Sequence, residues 1–70
     1  MTRDKIVLRI DATYDPLVQE GQRVARGQKL CDAPPTELHR ICPVSGTVRS
    51  IRFDAEHHEF VISISKVKVD

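Results

Sequence analysis

The stretch Val18-Gln19-Glu20-Gly21-Gln22-Arg23-Val24-Ala25-Arg26-Gly27-Gln28-Lys29-Leu30 decides how this chain folds. Its marked positions, Val18, Gly21, Val24, Gly27 and Leu30, recur at every third residue. That spacing matches neither the alternation of a strand nor the 3.6-residue stripe of a helix. It predicts short extended pieces punctuated by glycine turns, because glycine enters positive φ without a Cβ clash and lets the chain reverse within a few residues. A small, tightly turned β module is the expectation.

To its N-terminal side, Ile6, Leu8 and Ile10 alternate with Lys5, Val7 and Arg9, which predicts a strand from about Lys5 to Asp11 with the larger aliphatics on one face. Asp11 to Pro16 supplies turn chemistry, with Asp15 held extended before Pro16. To the C-terminal side, Pro34-Pro35 suits an exposed hairpin tip or loop, since neither proline can donate to a ladder. With Ala33 facing Thr36 across that tip, Cys31 would face Leu38 and Cys42 would face Gly27. The two cysteines would then stand roughly 13 Å apart, beyond the approximately 7 Å that a disulfide bridges. Pro43-Val44-Ser45-Gly46 is a second turn, followed by a β-rich run from Thr47 to Phe53. Val48 and Ile51 cannot share a face of a regular strand, so either Val48 packs elsewhere or a bulge lies between them. Asp54 to Glu59 is a polar loop, and Phe60, Ile62 and Ile64 alternate with Val61, Ser63 and Ser65 in a last half-buried strand. Lys66 to Val69 reverses the pattern, as an edge or frayed tail protected by lysines does. No amphipathic helix emerges, and the domain is expected to be all-β.

Seventy residues make one domain, of a size that buries only about 60% of the surface its unfolded chain exposes. Aromatic residues are 4% of the chain, so the thin core must be built from Val, Ile and Leu. A formal net charge of +1 gives no bulk electrostatic reason to expect nucleic acid or an anionic membrane as partner. The short apolar run after Met1-Thr2-Arg3-Asp4-Lys5 is not a signal sequence, and no stretch approaches the roughly 20 apolar residues that span a bilayer. A cytoplasmic protein without membrane insertion is the expectation. Two cysteines are too few for a disulfide scaffold and lack CxxC spacing, so reduced thiols are expected.

The spacing Val18-x-x-Gly21-x-x-Val24-x-x-Gly27-x-x-Leu30, followed by Pro43-Val44-Ser45-Gly46-Thr47-Val48-x-x-Ile51, resembles the biotinyl/lipoyl-attachment class of domain. The likeness covers Pro16 to Ile51, about half of the chain. It implies a barrel-sandwich hybrid, or hammerhead, of two small antiparallel sheets with quasi-twofold symmetry. In that class the cofactor hangs on a lysine at a hairpin tip, and the corresponding position here is Pro35, preceded by Pro34. Attachment of biotin or lipoate needs a primary amine, so the resemblance implies a domain without its own prosthetic group. Members of that kind include the amino-terminal modules of Rnf-type electron-transport subunits and of sodium-translocating quinone reductase subunits. Their pattern is similar to Pro16-Leu17-Val18, Gly27-Gln28, His39 and Ser45 to Val48. There the module packs and docks, which implies a scaffold-like role with a protein partner or by self-association. The rival reading is a degenerate carrier or accessory subunit of a carboxylase, acyl-transfer or membrane electron-transport complex.

Chemistry-bearing residues are weighed against plainer roles. His57-His58 beside Glu56 and Glu59 is the most metal-like group, but neighbouring side chains on an extended chain point oppositely, which favours a solvated loop over a metal site. His39 and Cys42 lie three apart without an orienting carboxylate, which favours a packed cysteine over a nucleophile. Arg23, Arg26, Lys29, Arg49 and Arg52 form a solvated surface with little aromatic stacking around it. No helix start or GK[ST] follows Gly21, Gly27 or Gly46, so with Pro43 they are assigned to turns. No catalytic, cofactor-binding or metal-ligating residue is assigned, and the interaction surface is placed at the Pro34–Pro35 tip.

Overall fold

In a computed structural model, which describes residues 5–34, 36 and 40–66, the chain forms four strands in one antiparallel sheet. They are β1 (Lys5–Asp11), β2 (Arg23–Val24), β3 (Gly46–Asp54) and β4 (Glu59–Lys66). Their order across the sheet is β1-β4-β3-β2. The sheet curls into a half-barrel, and the domain is all-β, as its sequence predicts. β1 has the bounds expected of it, and it pairs with β4 from Lys5 opposite Ser65 to Asp11 opposite Glu59. Ile6, Leu8 and Ile10 thereby meet Ile64, Ile62 and Phe60 on the concave side.

β3 carries a bulge between Val48 and Ile51, one of the two arrangements that their spacing allows. Val48 pairs with Ile64 and Ile51 with Ile62, and the register shifts between Val48 and Ser50 so that the ladder accommodates one additional residue, Arg49. The extra residue returns both apolar side chains to the concave face and adds local twist. Gly46 is buried at the start of this strand, and a Cβ there would overlap the Ser65 carbonyl oxygen on β4. Its φ is not positive, so its place is explained by close approach of two backbones rather than by turn conformation.

The concave face is covered by the segment between β1 and β3, which the two glycines fold over. Gly21 and Gly27 have φ of 87° and 88°, the conformation that the third residue of a type II turn needs. The two turns are built alike. In the first, the Gln22 N–H donates to the Gln19 carbonyl while the Gln22 side-chain oxygen accepts from the Gln19 N–H. In the second, Gln28 makes the same pair of bonds with Ala25. Each turn also grips one residue of the returning chain: Val48 exchanges backbone bonds with Gly21 and Gln22, and Cys42 does so with Gly27 and Gln28. Beyond them the described residues of this layer meet through single bridges, Pro16 with Cys31 and Lys29 with Ile41.

Those bridges put the pairing around the proline tip one residue away from the expected register. Cys42 bonds Gln28 as well as Gly27, and Lys29 rather than Gln28 stands opposite Ile41. The expected register rested on a symmetric two-residue tip at Pro34-Pro35. The backbone bonds from Gly27, Leu30 and Cys42 select the other phase instead. Leu38, the expected partner of Cys31, lies outside the described residues.

Leu30, Cys31, Cys42, Val48, Ile62 and Ile64 are the most deeply buried side chains, joined by Leu8, Ile10, Val18, Val24 and Ala33. Ser63 departs from the half-buried pattern expected of its strand. It faces outward, yet it is only 8% exposed, because β4 is internal to the sheet and Val7 and Ser50 flank it from either side. The Gly46–Ser65 contact yields a test. Gly46→Ala should destabilise the domain by about 1–3 kcal/mol, the usual cost of forcing a methyl into packed backbone. Urea unfolding should show a lower midpoint with an unchanged slope.

Candidate functional site

Among the described residues, a connected set of charged side chains lies where β1 ends beside the β3–β4 hairpin. Strand alternation turns Arg9, Glu59 and Asp54 to the same side, and the hairpin loop adds Glu56, His57 and His58. Arg9 Nη1 donates to Asp54 Oδ2 at 2.9 Å and to Glu59 Oε1 at 3.1 Å. The other Asp54 oxygen accepts from the Glu56 N–H at 3.0 Å and the His57 N–H at 3.3 Å, which closes the loop upon itself. His57 Nδ1 stands 2.9 Å from Asp54 Oδ2, the spacing of a ring N–H donating to a carboxylate. Asp54 therefore organises the hairpin end from both of its oxygens.

His57 and His58 part company as the reading of the sequence expects. His57 turns to Asp54, whereas His58 sits edge-on to Phe53 with ring centroids 6.0 Å apart. His58 adopts a φ of 53°, a left-handed conformation that histidine enters more readily than most residues. Its carbonyl accepts from the Ala12 N–H, fastening the end of β1 to the loop. Phe53 also leans on Phe60, with centroids 5.7 Å apart, and remains 55% exposed.

Asp54, Glu56 and His57 bring one potential ligand atom each within 4.8 Å of one another. A cation there would compete with Arg9 and with the loop amides for the same Asp54 oxygens. The hydrogen bonds from Arg9 and then from His57 hold the Asp54 carboxyl well below the usual carboxylate range. Asp11 is lowered more modestly, first by the Thr13 backbone N–H that its side chain accepts. Arg9 and its acidic partners are partly exposed, so solvent screens the pairs and limits what they add to stability. Their role is orientation: one guanidinium aligns the ends of β1, β3 and β4. Sequence reasoning singled out the histidines and not Asp54 or Arg9, because the bond between those two joins residues 45 apart along the chain.

Other predicted positions lie elsewhere. Pro34 is exposed, while Pro35 and His39 lie outside the described residues. Pro43 is exposed, two residues before Ser45, whose Oγ accepts from the Arg26 N–H. Cys31 and Cys42 are both buried cysteines without a disulfide, and the Cys42 thiol lies 2.9 Å from the Val44 carbonyl to which it donates. Lys29 is paired with Asp32 at 3.6 Å. Among the described residues no helix is long and apolar enough to cross a membrane. Compared with protein-family models, curated proteins and solved structures, the chain matches none.

Two measurements follow from this geometry. Because the Asp54 pKa is lower folded than unfolded, its contribution is fully present above the unfolded value of about 3.9 and is lost as pH falls through the folded value. Thermal melts between neutral and strongly acidic pH should show stability declining below about pH 4. Asp54→Asn should flatten that decline and lower stability slightly at neutral pH. The thiols provide the second check: Cys42 should label with a thiol reagent far more slowly in the native protein than in denaturant, since reaction requires opening of the core.

Proposed function

We propose that this chain is a non-catalytic docking module that brings proteins together in the cytoplasm and carries no prosthetic group of its own. The observation that carries the reading is a small all-β body whose described charged cluster is committed to its own hairpin. Asp54, the residue best placed to act on a ligand, is spent on Arg9, His57 and two loop amides. The fold class that fits this reading is the biotinyl/lipoyl-like barrel-sandwich hybrid. Its support is the internal repetition of one glycine turn, each copy clamped by a glutamine and each holding one residue of the returning chain. Two single bridges in the covering layer, Pro16 with Cys31 and Lys29 with Ile41, are compatible with that class. A proline at the position of the attachment lysine removes the nucleophile that a ligase acylates, so the module keeps the shape and not the cargo.

Intact-mass measurement on protein isolated from its own cells tests the unmodified state. The expected mass is that of the bare chain, and an added biotinyl or lipoyl group overturns the reading. Capture with the tagged full chain tests docking separately: a stoichiometric protein partner, or self-association, is expected. A chain that does neither is not a docking module, and one that co-purifies with a large enzyme subunit belongs instead to a carrier or accessory role.

A further inference from the structure

The outer edge of β1 is the longest strand edge that no described residue covers. β4 pairs with one side of it throughout, and the sheet order leaves β1 at the margin. The backbone alternation shows which groups face outward. The Ala12 N–H donates to the His58 carbonyl, and these two residues continue the register of β1 with β4. In an antiparallel ladder the mutually bonded pairs alternate, so Ile6, Leu8 and Ile10 spend their backbone groups on β4. Lys5, Val7 and Arg9 direct theirs away from the sheet, as does the Asp11 N–H, while the Asp11 carbonyl accepts from the Tyr14 N–H and keeps one lone pair for a further donor. Val7, in the middle of this edge, is 55% exposed. A sheet edge of this length without a neighbouring strand is a template for another strand.

The side chains on that edge specify what the strand is. We propose that β1 pairs with β1 of a second copy, antiparallel about a two-fold axis at Leu8, joining two four-stranded sheets into one of eight strands. The inference rests on the docking reading above and identifies the partner. Antiparallel self-pairing must match outward-bonding residues with one another, which leaves three registers that retain most of the strand. Centring on Val7 sets Lys5 against Arg9, and centring on Arg9 sets two guanidinium groups face to face. Like charges directly opposite destabilise a sheet. Centring on Leu8 avoids both. It sets Lys5 opposite Asp11 at each end, lays the Arg9 stem across the exposed Val7, and places Ile6 opposite Ile10 on the concave side. It also keeps all seven residues of β1 paired. The sequence of the strand is thus complementary to itself in one register and repels itself in the neighbouring two. Arg9 can serve both roles, since its Asp54 and Glu59 contacts engage a single guanidinium nitrogen, Nη1.

Sedimentation equilibrium on the full chain tests this, with far-UV circular dichroism as the check on folding. The wild type should have twice the 7.9 kDa chain mass. Val7→Pro removes an outward N–H from an edge position where proline is tolerated, and should give a folded single chain. Lys5→Asp and Asp11→Lys should each be single chains too, since each places like charges at both ends of the pairing. Mixed in equal amounts, the two charge variants should recover the doubled mass, because every end then holds one acid and one base. If Val7→Pro fails to fold, the charge variants and their mixture decide the matter. A wild type that stays a single chain at every concentration overturns the pairing, while leaving the docking reading to its capture experiment. A dimer that persists in Val7→Pro and in both charge variants also overturns it, and then self-association uses another surface.

Discussion

Everything in this molecule depends on the chain between β1 and β3 lying down on the concave face of the sheet. A four-stranded sheet with Ile6, Leu8, Ile10, Val48, Ile62 and Ile64 on one side cannot leave that side wet. The residues available to cover it are few, and they must pass over it without leaving buried backbone groups unpaired. Two type II turns meet both demands at once. Glycine supplies the left-handed residue, a glutamine amide and the turn's own carbonyl satisfy the groups at its ends, and the glycine N–H reaches across to the returning chain. Val18, Val24 and Leu30, before, between and after the turns, then fall into the core, which is the physical content of the three-residue spacing.

The sheet and its cover are held at different densities of bonding. β3 and β4 share a long ladder, as do β1 and β4, whereas the cover is held by the two-residue pairing of β2 with β3, by isolated bridges and by the two glycine grips. Local opening follows the number of bonds and buried contacts that must break. The cover is therefore the part that opens first, and the hairpin end is fixed by a different means. There Arg9 and Asp54 tie strand ends together across solvent-screened ion pairs, with Phe53 and Phe60 supplying the apolar contact beneath.

Those features legible in the sequence share one property: their cause is local. β1 could be bounded because Ile6, Leu8 and Ile10 alternate with Lys5, Val7 and Arg9, and a bulge was one of two readings open because Val48 and Ile51 are three apart yet both apolar. Gly21 and Gly27 were legible as turns for the same reason. What escaped depends on neighbours distant in sequence. Gly46 looked like one more turn glycine, but its constraint is the Ser65 carbonyl on the next strand. Ser63 looked half-exposed until β1 and β3 were placed on its two sides. The pairing of residues 27–30 with residues 40–42 differed by one from the expected register, because hydrophobic periodicity does not fix the phase of a connection. Asp54 was passed over beside two more conspicuous histidines, since nothing in its vicinity announces Arg9.

The extra residue in β3 has a consequence for how this architecture can vary. Arg49 is exposed and stands outside the alternation, so the residues before and after it keep their sides whether it is present or not. Losing one amino acid from β3 well away from the bulge would invert the facing of everything downstream. At the bulge, deletion of one residue alters local twist without reassigning a side chain to the wrong layer. The depth of the half-barrel is adjustable by one codon, independently of the core that fills it.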